Sequence, residues 1–207
     1  MGALMALLLV GPLPAGAVAA PPMDLAGISI PIAPLQVTGL DSADTAHIQQ
    51  LWAEFVSGLP ARAECLLSSP PRIEADAGLG PRAAYAPSSA TLYVRPHHLE
   101  RLVVFHELGH HLDFTCGASE QIGAELRSAQ GISASKPWWK DGKPVTWPAE
   151  YFANAVAITL GEKSRHDVSA ATVELVGIWT GHLRPQLEAP ARTVGSDRME
   201  SLGPNVV

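Results

Sequence analysis

An eleven-residue stretch constrains this chain more than any other: Val104-Phe105-His106-Glu107-Leu108-Gly109-His110-His111-Leu112-Asp113-Phe114. Its apolar residues, together with Leu102 and Val103, recur at helical spacing, so the segment reads as a half-buried helix. His106 and His110 stand four residues apart and therefore share one face, a turn from each other. Two histidines and a glutamate on such a helix are costly unless they are paired or bind a metal.

The chemistry these residues allow is specific. Both imidazoles can aim a nitrogen at one point, and zinc accepts such nitrogens at about 2.0–2.1 Å. Glu107, one residue from the first histidine, can reach a water held there, accept its proton and later pass it to a leaving amine. A catalytic zinc takes three protein ligands and keeps one position open, so the third ligand must come from elsewhere. The Gly and further His that metzincins place after the second ligand are missing, because His110 is followed by His111-Leu112-Asp113-Phe114-Thr115-Cys116. The best candidate is Glu150, in Trp147-Pro148-Ala149-Glu150-Tyr151-Phe152-Ala153-Asn154. Pro148 suits the first turn of a helix, and Tyr151, Phe152, Val156 and Leu160 can anchor it. Asn154 shares a face with Glu150, from which its amide oxygen can accept a hydrogen bond from a ligand imidazole. Asp113 lies a turn beyond the histidines and reads as a supporting hydrogen-bonding group rather than a ligand. Glu120 and Glu125 read as solvated, and His97 and His98 as surface residues. His111 reads as an exposed or hydrogen-bonded neighbour. Trp138, Trp139 and Trp147 can line a cleft or cap the core, and the core is the safer assignment.

The two motifs, His106-Glu107-Leu108-Gly109-His110 and Glu150-Tyr151-Phe152-Ala153-Asn154, resemble the gluzincin class of metallopeptidases. The likeness is greatest to the catalytic domain of anthrax lethal factor and related small secreted bacterial peptidases, which have an Asp where Asp113 stands. It covers roughly residues 70–160, and only the two motifs in it are specific. The resemblance implies zinc held by His106, His110 and Glu150, with Glu107 as the base. It also implies that the strand at Thr91 to Val94 borders the cleft and pairs with an extended peptide substrate. Two departures stand out. Many gluzincins carry an acidic residue where Asn154 stands, and the oxyanion-steadying Tyr before the third ligand has no counterpart between Lys143 and Trp147. Tyr151, Tyr85, Lys143 and His166 remain as candidate oxyanion donors.

The rest of the 207-residue chain frames this site. Leu4 to Val10 form a short apolar run, and Ala17-Val18-Ala19 follows as a small-residue cleavage pattern, so residues 1–19 read as a secretory signal even though no Lys or Arg precedes the run. The run is too short for a comfortable membrane span, so no stable span is expected in the mature form. Two cysteines in an exported chain suggest a Cys65–Cys116 disulfide. A net charge of −6 and no Lys/Arg cluster argue against a nucleic-acid partner and leave a peptide or protein substrate. Residues 20–40 read as a Pro-rich linker, 41–185 as the metallopeptidase domain and 186–207 as a disordered tail. Helix signals begin at Asp41-Ser42, short strands are expected at 72–75, 85–86 and 91–94, and helices at 97–114, 119–130, 149–160 and 168–183. The expected fold is α+β: a small, mostly antiparallel sheet on the His-Glu-x-x-His helix, then a helical C-terminal part, in a zincin-like arrangement. The competing reading is an exported zinc-binding module without catalysis.

Overall fold

A computed structural model describes residues 23–25, 28–30, 34–80, 83–139, 147–163 and 166–183. The expected signal at 1–19 and tail at 186–207 lie outside these residues. Strands β1 (Met23–Leu25) and β2 (Ile28–Ile30) form an antiparallel hairpin. After β3 (Gln36–Thr38) comes helix α1 (Ser42–Gly58), which starts where the Asp41 carboxylate accepts the Asp44 N–H at 2.8 Å. Its apolar stripe of Ile48, Leu51, Trp52 and Phe55 is buried. Pro60 opens a short 3-10 turn, and α2 (Ala63–Ser68) leads into β4 (Arg72–Ala75). Then come β5 (Ala84–Ala86) and β6 (Thr91–Val94). The remainder is helical: α3 (Arg101–Cys116), α4 (Ala118–Gln130), α5 (Pro148–Thr159) and α6 (Ala170–Trp179).

The fold is therefore α+β, but the sheet is mixed rather than mostly antiparallel. Its order is β3-β4-β6-β5, with β3–β4 and β4–β6 parallel and only β5–β6 antiparallel. The reason is β3, which lies within the stretch read as a linker and is too short and too close to prolines to announce itself. From β3 the chain crosses through α1 and α2 to β4, and a strand–helix–strand crossover lays its strands parallel. β5 then turns back and β6 enters between it and β4. This arrangement also corrects the placement of the cleft. Within the described sheet β6 has a partner along each side and cannot pair with a peptide, whereas β3 and β5 are the edges, and β5 is the one beside Glu107.

Helix α3 starts four residues later than its apolar periodicity suggests. His97 adopts a left-handed conformation (φ 61°), its N–H is captured by the Asp44 carboxylate at 2.8 Å, and a turn over residues 95–98, closed by the His98 N–H on the Arg95 carbonyl at 3.2 Å, precedes the helix. Arg101, the first helical residue, binds Glu54 of α1 and Glu162 beyond α5, and its guanidinium lies 4.3 Å over the Phe105 ring. At the other end Gly117 (φ 70°) donates its N–H to the Asp113 carbonyl at 2.9 Å, in the left-handed cap that favours glycine. The expected disulfide is present, joining Cys65 of α2 to Cys116 at the end of α3 with Cα atoms 5.9 Å apart. Among the described residues no helix is long and apolar enough to cross a membrane.

The contact that positions the site is between α3 and α5. Gly109 faces Ala153 so closely that a Cβ there would lie 2.9 Å from the Ala153 Cα and 3.2 Å from its carbonyl oxygen. Phe105, one turn before Gly109 on α3, and Phe152, next to Ala153 on α5, are completely buried. Gly109→Ala should gain roughly 1 kcal/mol of helix propensity. The backbone atoms it meets cannot swing aside, so we expect a net loss of about 1–3 kcal/mol in denaturant unfolding. Reducing the disulfide, which closes a loop of 51 residues, should lower stability by up to about 4 kcal/mol in the same measurement.

Candidate metal centre

Helical spacing puts His106 and His110 on the face of α3 that meets α5, with ring centroids 4.8 Å apart and planes at 89°. Glu150 enters from the first turn of α5, where Pro148 begins the helix. Its two oxygens reach both rings: Oε2 lies 3.3 Å from His106 Nε2, and Oε1 lies 3.2 Å from His110 Nε2. These three residues can hold a metal ion, since their donor atoms all lie within 4.8 Å of one another. The fit is quantitative. Ligands about 2.05 Å from a tetrahedral zinc stand roughly 3.3 Å apart, which matches the carboxylate–imidazole spacing. His110 Nδ1 is buried without a hydrogen-bond partner, so this ring's polar contact is on the Nε2 side.

The surrounding groups set the charges. Burial would lift the Glu150 carboxyl, but its bonds to His106 and His110 outweigh that and hold it down at about 2. Burial likewise works to lower His106, yet the hydrogen bond it donates to Glu150 and the nearby charge of Glu107 raise it above its usual value. Glu107 is moved up by burial, against the pull of His106 and His110. Asn154 lies one turn along α5 from Glu150. Its amide NH2 donates to the Glu150 carbonyl at 2.7 Å, and the side chain is hydrogen-bonded to His106.

Other expectations fall differently. Asp113 supports the site from further out: its oxygens accept the Ser119 N–H at 3.1 Å and the Trp138 indole N–H, tying α3 to α4 and to the loop before α5. Burial leaves its carboxyl raised to about 6. Glu120 and Glu125 are exposed on α4, as expected, and so are His97 and His98. His97 instead approaches Asp41 and Asp44 at the start of α1. Trp138 packs on Phe152 in the core, with ring centroids 6.2 Å apart. Trp139 is different: it stands 5.0 Å from the His110 ring and 5.6 Å from Phe114, so it borders the site. Only its place in the loop before α5 hinted at that.

Among the oxyanion candidates, the Tyr85 hydroxyl is committed elsewhere, 3.1 Å from His111 Nδ1. Tyr151 is half-buried and His166 exposed, while Lys143 lies outside the described residues. His111 is fully buried, and burial holds it down at about 4 despite its bond to the Ser69 carbonyl. The unexpected contact is at Glu107, whose Oε2 accepts the main-chain N–H of Tyr85 at 2.9 Å. That bond comes from a residue 22 positions away, and no local pattern could have revealed it. No protein-family model, curated protein or solved structure matches this chain.

Because a proton and a metal compete for His106 Nε2, the raised proton affinity of His106 sets a pH window. Zinc should bind weakly at pH 5.5 and tighten about tenfold per unit as pH rises toward a value above 6.5, where the ring loses its proton. A chelator-competition titration at several pH values checks this. In the same assay Glu150→Ala should weaken binding more than about 100-fold, and His98→Ala should leave it unchanged.

Proposed function

We propose that the protein is an exported zinc-dependent endopeptidase of gluzincin type, with a zincin-like catalytic domain. The observation that carries this reading is the convergence of His106, His110 and Glu150 on one point, with the carboxylate of Glu107 beside them. The disulfide agrees with export, because such bonds persist in oxidising compartments. His106, His110 and Glu150 would hold the ion, which when bound polarises a water and brings its pKa toward neutrality.

The chain's own groups perform the remaining work. Glu107 Oε2 is tied to the Tyr85 N–H, which leaves Oε1 to take the proton of the attacking water. Burial raises the affinity of Glu107 for that proton, so it can hold it and then deliver it to the departing amine nitrogen. Asn154 steadies His106, and Glu150, already charged at neutral pH, offsets the charge gathered between the rings. An extended peptide is the substrate class in keeping with an edge strand: β5 lies beside Glu107, and since the Tyr85 N–H is already taken by that carboxylate, a peptide would pair through the Tyr85 carbonyl.

A zinc-binding module without turnover is the second reading. The commitment of the Tyr85 hydroxyl to His111 favours it, because it removes one candidate for steadying an oxyanion. Turnover separates the two. Wild-type protein should cleave members of an unstructured peptide library and stop when a chelator is added. Glu107→Gln should keep its zinc and lose about 10²- to 10⁴-fold in kcat. Full zinc occupancy without cleavage by the wild type would favour the binding module, and undiminished cleavage by Glu107→Gln would remove Glu107 from the mechanism.

A further inference from the structure

The contact between Glu107 and Tyr85 belongs to a longer chain of hydrogen bonds. Arg72 N–H bonds to the Ala90 carbonyl and Asp76 N–H to the Val94 carbonyl, so these even-numbered positions of the β6 segment turn their backbone groups toward β4. Thr91 and Tyr93 therefore face β5, where they pair with Ala86 and Ala84. Tyr85, between those two, must point its own N–H and carbonyl away from β6, at the free edge. An N–H on a free edge normally meets water, but this one meets Glu107 Oε2 at 2.9 Å. Two residues on, the next outward position is Pro87, which has no N–H to offer.

The other end of Tyr85 is anchored as firmly. Its hydroxyl lies 3.1 Å from His111 Nδ1, and His111 Nε2 lies 2.9 Å from the Ser69 carbonyl. A carbonyl can only accept, so Nε2 carries the imidazole hydrogen and Nδ1 must accept from the phenol. The His111 ring is wedged edge-on between Trp52 and Tyr85, with centroids 6.2 and 5.5 Å away. Thr115 Oγ1 completes its surroundings.

We infer that Tyr85 is the positioning residue for Glu107: locked through His111 to the Ser69 carbonyl, it presents its main-chain N–H to one carboxylate oxygen and so determines that the other faces the site. The catalytic meaning of this rests on the peptidase reading, but the positioning does not. Without the anchor, Tyr85 could turn its N–H off the carboxylate while Ala84 and Ala86 stay paired to β6, and Glu107 could rotate about its last torsion.

Amide hydrogen exchange by NMR on the full, zinc-loaded chain, together with peptide-cleavage kinetics, tests it. In the wild type the Tyr85 amide should exchange as slowly as the paired amides of Ala84 and Ala86. Glu107→Ala should speed exchange at Tyr85 roughly tenfold and leave those neighbours unchanged. Tyr85→Phe removes only the hydroxyl, and should speed exchange at position 85 and lower kcat by about five- to tenfold each, with KM and zinc affinity unaltered. His111→Leu should reproduce both effects from the far side of the link, and unchanged Ala84 and Ala86 exchange shows that each variant is folded. Fast exchange at Tyr85 in the wild type, or no response of that amide to Glu107→Ala or Tyr85→Phe, overturns the inference. So does a Tyr85→Phe defect that appears in KM or zinc affinity instead of kcat. A wild type that cleaves nothing would defeat the peptidase reading alone, since exchange still decides whether Tyr85 holds Glu107.

Discussion

Helices α3 and α5 can lie close together because Gly109 presents no side chain to Ala153. That approach brings the first turn of α5 level with the middle of α3, and Glu150 arrives between two imidazoles a helical turn apart. Much else follows from this contact. Asn154, one turn further along α5, comes within reach of His106, and Phe105 and Phe152 are buried in the core. A larger residue at position 109 would meet the Ala153 backbone and push the two helices, and with them their donor atoms, apart.

Two carboxylates in this crevice carry opposite biases. Glu150 bonds to both rings and stays ionised to low pH, as suits a permanent donor. Glu107 lies in the same buried region but with a weaker hold on its charge, and burial raises its affinity for a proton, as suits a group that must accept one and release it. Their placement on different helices makes the difference, since only Glu150 reaches across to bond both histidines. The pattern of one fixed charge beside one exchangeable proton gives physical content to the hydrolytic reading.

Around this centre the structure restrains α3 along its length. Arg101 ties its start to Glu54 and Glu162, the disulfide ties its end to α2, and Asp113 ties its last turn to Ser119 and Trp138. His111 links α3 to the Ser69 carbonyl and to Tyr85 on the sheet edge, away from the candidate metal centre. Consecutive histidines on one helix thus have unlike tasks, because neighbouring residues point about 100° apart around a helix. His110 faces α5 and Glu150, and His111 faces the sheet.

Helix faces and caps were legible in the residues alone. Apolar spacing located α1 and α3 to α6 to within a few residues, and the four-residue interval between His106 and His110 guarantees their shared face in any helix. Pro148 and the apolar residues behind it marked α5 well enough to single out Glu150, since these are local properties of consecutive positions. The direction of the strands was not local. Whether β3 runs with or against β4 depends on the path through α1 and α2, and whether β4 runs with β6 depends on β5 turning back between them in the chain; strands of three or four residues carry almost no periodicity. Nor could spacing tell that Trp139 stands beside His110 while Trp138 packs on Phe152, or that the outward N–H of Tyr85 would find Glu107. Those outcomes depend on which surfaces meet once the chain has collapsed, and contacts between residues so distant in the chain leave no trace in the order of their neighbours.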